Sequence, residues 1–138
     1  MGRALIVDDN AANRRLLEAF CQAFGLSVDC ARSGRQALDL VFGRGTGGAV
    51  EAEAEAAAGR DFPYGIVLMD IHMPEMDGVE TARKIFAASE RAVPIVAVTA
   101  DTTPENRARC IDAGIAEVVH KPVSVQVLAP ILCRYFEF

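Results

Sequence analysis

Two aspartates stand side by side at Asp8-Asp9, directly after the apolar run ALIV. A third, Asp70, closes the run IVLMD; Thr99 closes IVAVT; and Lys121 follows AEVVH. Three carboxylates brought together repel, which raises at least one pKa unless a cation intervenes. A hard divalent ion relieves that repulsion. Mg²⁺ prefers octahedral oxygen ligands, one or two carboxylates, several waters and a phosphate oxygen. An aspartate carboxylate is also a nucleophile toward phosphorus, giving an aspartyl phosphate. The charge so added needs a metal, an ammonium and hydroxyl or backbone donors around it. Asp8, Asp9, Asp70, Thr99 and Lys121 supply that set.

Each residue alone has a plainer explanation. Asp8-Asp9 could cap a helix, Asp70 could be a strand-end turn residue, Thr99 a strand residue and Lys121-Pro122 a solvated loop. The combination is more specific than its members, because each falls at the end of a different apolar run.

These groups are far apart in the chain, so the chemistry depends on elements that gather them. Helix and strand signals alternate. After ALIV, the stretch from Asn13 to Phe24 carries Leu16, Leu17, Phe20 and Phe24 at helical spacing, with Gly25 as a stop. LSVDCA reads as a second strand, and Ser33 as the N-cap of a helix carrying Ala37, Leu38 and Val41. GIVLMD has no polar alternation, as expected of a strand covered on both faces. Gly78 to Ala88 reads as a helix with Val79, Ala82, Ile85 and Phe86 inward. VPIVAVT is a fourth strand with Pro94 near its start. Thr103-Pro104 opens a helix that Gly114 ends, and AEVVH is a fifth strand. Ser124 caps a last helix with Val125, Leu128, Leu132 and Tyr135 on one face; Pro130 inside it predicts a kink or an early break. The Gly-rich, then Ala/Glu-rich segment of about 43–60 breaks the rhythm and reads as a flexible insertion in a single domain spanning 1–138. Five strands alternating with five helices predict an α/β, doubly wound, five-stranded parallel sheet. In such sheets ligands sit beyond the carboxyl ends of the strands, where all five chemical residues would fall.

Composition bounds the rest. The chain has 138 residues, about half apolar and a quarter charged, with a net charge of −5. Size and composition fit one soluble domain with a substantial core. With no basic stripe, direct nucleic-acid binding is not expected. No apolar run reaches membrane-spanning length, so no membrane insertion is expected. MGRALIVDDN lacks the length and cleavage site of a signal peptide. Cys21, Cys30, Cys110 and Cys133 form no C-x-x-C pair and read as free thiols in a reducing, cytoplasmic setting.

The motifs LIVDDN, IVLMDIHMPEMDG, IVAVTA and HKP together resemble the receiver domain of two-component response regulators, a CheY-like fold, over essentially the whole chain outside the insertion. That resemblance implies the flavodoxin-like strand order 2-1-3-4-5. It implies that Asp70 is the phosphoacceptor, and that Asp8 and Asp9 hold Mg²⁺ together with the Asp70 side chain and the backbone carbonyl of His72. It makes Thr99 the switch hydroxyl and Lys121 its phosphoryl-pairing partner, with a cis bond at Lys121–Pro122, and lets Pro74 and Gly78 shape the loop after Asp70. The donor would be a phosphohistidine on a histidine kinase or histidine phosphotransfer domain. DDNAANRR and MDIHMPEMDG are most similar to receivers of hybrid histidine kinases. The implied role is a phosphoacceptor that assists its own phosphorylation and dephosphorylation, not an enzyme with turnover.

Several positions depart from or refine that pattern. Val118 stands where receivers usually carry an aromatic switch residue, so readout is expected through the loop after Thr99. By the same resemblance His72 and Asp101 stand at positions that flank the path of an attacking water, which makes them candidates for tuning phosphoryl lifetime; His120 is expected to be structural. Three rivals remain. A receiver-fold interaction or dimerisation module would keep the fold with vestigial phosphorylation. An aspartyl-nucleophile phosphatase would want a second aspartate where His72 stands. A flavodoxin-like cofactor binder would want a Ser/Thr/Gly-rich phosphate loop where Asp8-Asp9 stand. Tyr135, Phe136 and Phe138 are read as an exposed aromatic end able to support a weak homodimer.

Overall fold

The structure, a computed structural model, describes residues 2–42, 64–73, 76–89 and 93–136. The Gly- and Ala-rich segment, Pro74 and Phe138 lie outside the described residues. The elements are β1 (Arg3–Val7), α1 (Ala11–Ala23), β2 (Ser27–Ala31), α2 (Gly34–Val41), β3 (Ile66–Asp70), α3 (Gly78–Ser89), β4 (Ile95–Thr99), α4 (Pro104–Asp112), β5 (Glu117–His120) and α5 (Val125–Tyr135). The strands form one parallel sheet in the order β2-β1-β3-β4-β5.

Strand periodicity divides the core between the two faces. Leu5 and Val7, Val67 and Met69, and Ile95 and Ala97 pack toward α2, α3 and α4. Ala4 and Ile6, Ile66 and Leu68, and Val96 and Val98 pack toward α1 and α5. All residues of β3 and β4 are buried. Uninterrupted apolar strands are what a sheet covered on both faces requires. Among the described residues no helix is long and apolar enough to cross a membrane.

Local chemistry sets the helix ends. Asn10, Ser33, Thr103 and Ser124 each accept a backbone N–H three residues on, satisfying donors the helix leaves open. Gly25 and Gly114, with φ of 85° and 96°, end α1 and α4 in the left-handed region that glycine enters without strain.

Three expectations need correction. The first helix begins at Ala11, capped by Asn10, and neither aspartate is the cap residue; Asp8 Oδ1 instead accepts the Asn10 N–H at 2.9 Å. The last helix runs through Pro130. The carbonyl that Pro130 leaves without a helical donor is that of Gln126, an exposed residue that water can reach. Its inward residues are Leu128, Ile131 and Leu132, whereas Val125 is exposed. Nor is the aromatic end free: Tyr135 and Phe136 are half-buried against the α1/α5 core. The Phe136 ring occupies the space that a Cβ on Gly2 or Gly65 would need.

Candidate functional site

The ends of β1, β3, β4 and β5 converge at one edge of the sheet. Asp8 follows Val7 and continues the β1–β2 ladder, its N–H donating to the Ala31 carbonyl at 3.0 Å. Its own carbonyl accepts Arg14 Nη1 at 2.8 Å, so α1 braces the turn. The Asp8 backbone is therefore held at both its N–H and its carbonyl, and the residue is 1% exposed. Asp9, next in the chain, is exposed.

Asp70 ends β3 opposite Val98 of β4, 4% exposed, with Oδ1 accepting the His72 N–H at 3.2 Å. Gly78 must be glycine for this loop to close. Its N–H donates to the Ile71 carbonyl at 2.9 Å, and a Cβ there would lie 2.8 Å from Ile71 Cα and press on the Asp70 carbonyl.

Lys121, directly after β5, is the cation of the site. Its Nζ lies 3.1 Å from Asp8 Oδ2 and 3.4 Å from Asp70 Oδ1. The Lys121 N–H donates to the Thr99 carbonyl at 2.9 Å, and the Lys121–Pro122 bond is cis.

One ammonium does not balance these carboxylates. Burial, and then the Asp8 charge, push Asp70 up to about 6, against the opposing pull of Lys121 and the His72 amide. Asp8, Asp9 and Asp70 each offer a carboxylate oxygen, all within 4.8 Å of one another. Among the described residues Asp8 Oδ2 is the buried side-chain oxygen that accepts no hydrogen bond, although it stands in an ion pair with Lys121. A buried orphan oxygen of this kind is costly unless something occupies its lone pairs. The donor set is all oxygen, anionic and compact, and so fits a Mg²⁺ ion.

Thr99, the last residue of β4, is fully buried, and its Oγ1 accepts the Asp101 N–H at 3.0 Å. Asp101 also meets His72, whose Nε2 is 3.5 Å from Asp101 Oδ2 across the mouth of the site. Val118 is half-buried and packs on the α2/α3/α4 side of the core. His120, expected to be structural, is exposed at the end of β5.

Sequence reasoning missed two contributors. Asp77 caps α3 by accepting the Glu80 N–H at 2.9 Å and pairs with Arg109 of α4, tying the loop after β3 to the next helix. Asn106 is 6% exposed and donates from Nδ2 to the Asp101 carbonyl at 2.6 Å. Its signal was present: Asn106 and Cys110 are four apart and share the buried face of α4.

Comparison with known proteins gives one consistent result. The family model described as the response regulator receiver domain matches residues 4–132. The hybrid signal transduction histidine kinase L of Dictyostelium discoideum is 31% identical over 98% of this chain, though the match spans 7% of that protein. The receiver domain of the sensor histidine kinase PA1611 of Pseudomonas aeruginosa superposes with a TM-score of 0.76 at 29% identity, covering 97% of this chain and 96% of that one. That structure is described as having a magnesium ion coordinated in its active-site cleft. The chemotaxis protein CheY4 of Vibrio cholerae superposes at 0.75 with 25% identity, each chain covered to 99%. This chain thus spans under a tenth of the hybrid kinase and nearly all of the two solved structures.

Proposed function

This chain belongs to the response regulator receiver domain family, and from that premise we propose that Asp70 accepts a phosphoryl group in a two-component phosphorelay. The donor is a phosphohistidine on a histidine kinase or histidine phosphotransfer domain. The Asp70 carboxylate oxygen attacks phosphorus, the P–N bond breaks, and the imidazole nitrogen keeps the electron pair and takes up a proton from water. Asp8, Asp9, Asp70 and the His72 carbonyl hold Mg²⁺, which when bound neutralises charge on the phosphoryl oxygens. Lys121 offers its ammonium, and Thr99 a hydroxyl, to those same oxygens. With valine at position 118, the phosphoryl charge is read out chiefly through the loop after Thr99.

The observation that carries this reading is the cluster of Asp8, Asp9 and Asp70 carboxylate oxygens, all within 4.8 Å of one another, with the Lys121 ammonium beside Asp8 and Asp70. A helix-capping aspartate would have its oxygens satisfied by backbone donors. An aspartyl phosphatase is disfavoured by His72 at the position where its acid/base aspartate is needed.

Incubation with Mg²⁺ and acetyl phosphate, read by intact mass, tests the proposal. A single Mg²⁺-dependent phosphoryl adduct, absent from Asp70→Asn, is expected. If a phosphohistidine donor also leaves the wild-type protein unmodified, phosphoryl acceptance is excluded and an interaction module becomes the better account.

A further inference from the structure

We infer that Asn106 is a positioning residue for the Thr99 hydroxyl, acting through the Asp101 peptide. The inference rests on the phosphoacceptor reading and names the group that controls one of its parts. Burial supplies the first reason. Among the described residues the buried polar ones are Asp8, Asp70, Thr81, Thr99 and Asn106. Three of these belong to the site, and the Thr81 hydroxyl is spent on the Asp77 carbonyl at the start of its own helix. That leaves Asn106, an amide on the inward face of α4 beside Cys110, where an apolar side chain would cost less.

The hydrogen bonds supply the second reason. Asn106 Nδ2 holds the Asp101 carbonyl at 2.6 Å, while the Asp101 N–H donates to Thr99 Oγ1 at 3.0 Å. One residue is thus gripped at both ends of its backbone, by the switch hydroxyl and by the buried amide. Its carboxylate is also engaged, Oδ1 by the Thr103 N–H at 3.1 Å and Oδ2 by His72. A hydroxyl that accepts the Asp101 N–H retains one hydrogen to donate. Phosphoryl oxygens accept and do not donate, so this bond orients Thr99 for the task the site requires. Capping does not explain the amide. Thr103 Oγ1 already caps α4 by accepting the Asn106 N–H at 3.3 Å. A capping box would have the third helical side chain reach back to the N-cap N–H, whereas Asn106 donates to the carbonyl of Asp101, two residues before the N-cap.

The test is the initial rate of Mg²⁺-dependent phosphorylation by acetyl phosphate in a four-protein cycle: wild type, Asn106→Leu, Thr99→Ala and the double variant. Asn106→Leu is expected to slow phosphorylation about fivefold, the scale of one ordinary hydrogen bond, with Mg²⁺ affinity unchanged. In the Thr99→Ala background the same substitution is expected to have no further effect, because the two residues act through one hydroxyl. Asn106→Ser, too short to reach the carbonyl, gives the same comparison should leucine prevent folding. An unchanged rate in Asn106→Leu, independent effects in the cycle, or a parallel loss of Mg²⁺ affinity would each overturn the inference. A wild-type protein that takes up no phosphoryl group from either donor would remove the underlying reading instead, a result distinct from the other three.

Discussion

Asp70 in the metal-free protein is an acid whose folded form holds its proton more tightly than the unfolded chain does. Unfolded, it ionises near pH 4; folded, burial and Asp8 push it up to about 6. The stability this contributes is complete below about pH 4, is lost as the pH rises toward 6, and stays lost above. Two pH units correspond to about 3 kcal/mol. Asp70→Asn is therefore expected to stabilise the metal-free protein by about 2–3 kcal/mol at pH 7.5 and by little at pH 4, measured by urea unfolding. An equal gain at both pH values would trace the effect to packing. Lys121 gives the complementary case. Its ammonium lies where it competes with a metal for Asp8 and Asp70. Lys121→Ala should keep or tighten Mg²⁺ binding by calorimetry while slowing phosphoryl uptake at least about tenfold. The carboxylates and the lysine were legible because each breaks or follows an apolar run. Asn106 was legible only in part: its four-residue spacing from Cys110 points to the inward face of α4, but nothing in the sequence marks which carbonyl its amide meets.

At the level of elements, β3 sets the position of Asp70, and its rigidity comes from side chains that touch no substrate. Leu68 is 1% exposed between α1 and α5 on its face of the sheet. Leu68→Ala should cost about 2–5 kcal/mol in urea unfolding. The loop after β3 depends on Gly78, whose missing Cβ admits the Asp70–Ile71 backbone. Gly78→Ala should displace that loop and weaken Mg²⁺ binding through the His72 carbonyl, visible as a raised dissociation constant with little change in far-UV dichroism. Strand ends and N-caps were readable from Ser33, Thr103-Pro104 and Ser124, where side chain and backbone agree. The start of α1 was misplaced because the apolar stripe begins at Leu16, while the capping chemistry begins six residues earlier, at Asn10. Pro130 does not bring the early break that was one of its two expected outcomes: helix rules penalise the missing N–H, but the carbonyl it deserts belongs to an exposed residue.

For the whole molecule, Mg²⁺ is expected to raise Tm at pH 7.5, since an ion that binds the folded chain alone stabilises it by mass action. The increment should shrink at pH 5, where Asp70 keeps its proton and the ion must displace it. Differential scanning fluorimetry across a Mg²⁺ series at both pH values checks this. The sheet order was legible because strands that alternate with helices admit few arrangements, and the motifs at their ends chose among them.

In a parallel sheet with helical crossovers the chain leaves each helix at the edge opposite the carboxylates. It departs there at Phe42, after α2, and returns at Tyr64, before β3. Phe42 and Tyr64 belong to the same core cluster, and the Tyr64 hydroxyl is anchored 2.7 Å from Asp29 while Gly65 bonds the Arg3 carbonyl at 2.8 Å. The two described ends of this joint are therefore fixed to the scaffold independently of what joins them. Replacing 43–63 with a short glycine–serine linker, or with a fluorescent reporter, should leave phosphoryl uptake within about twofold of the parent rate. The port's two described ends are thus wired to the scaffold at the edge of the sheet away from Asp8, Asp70 and Lys121.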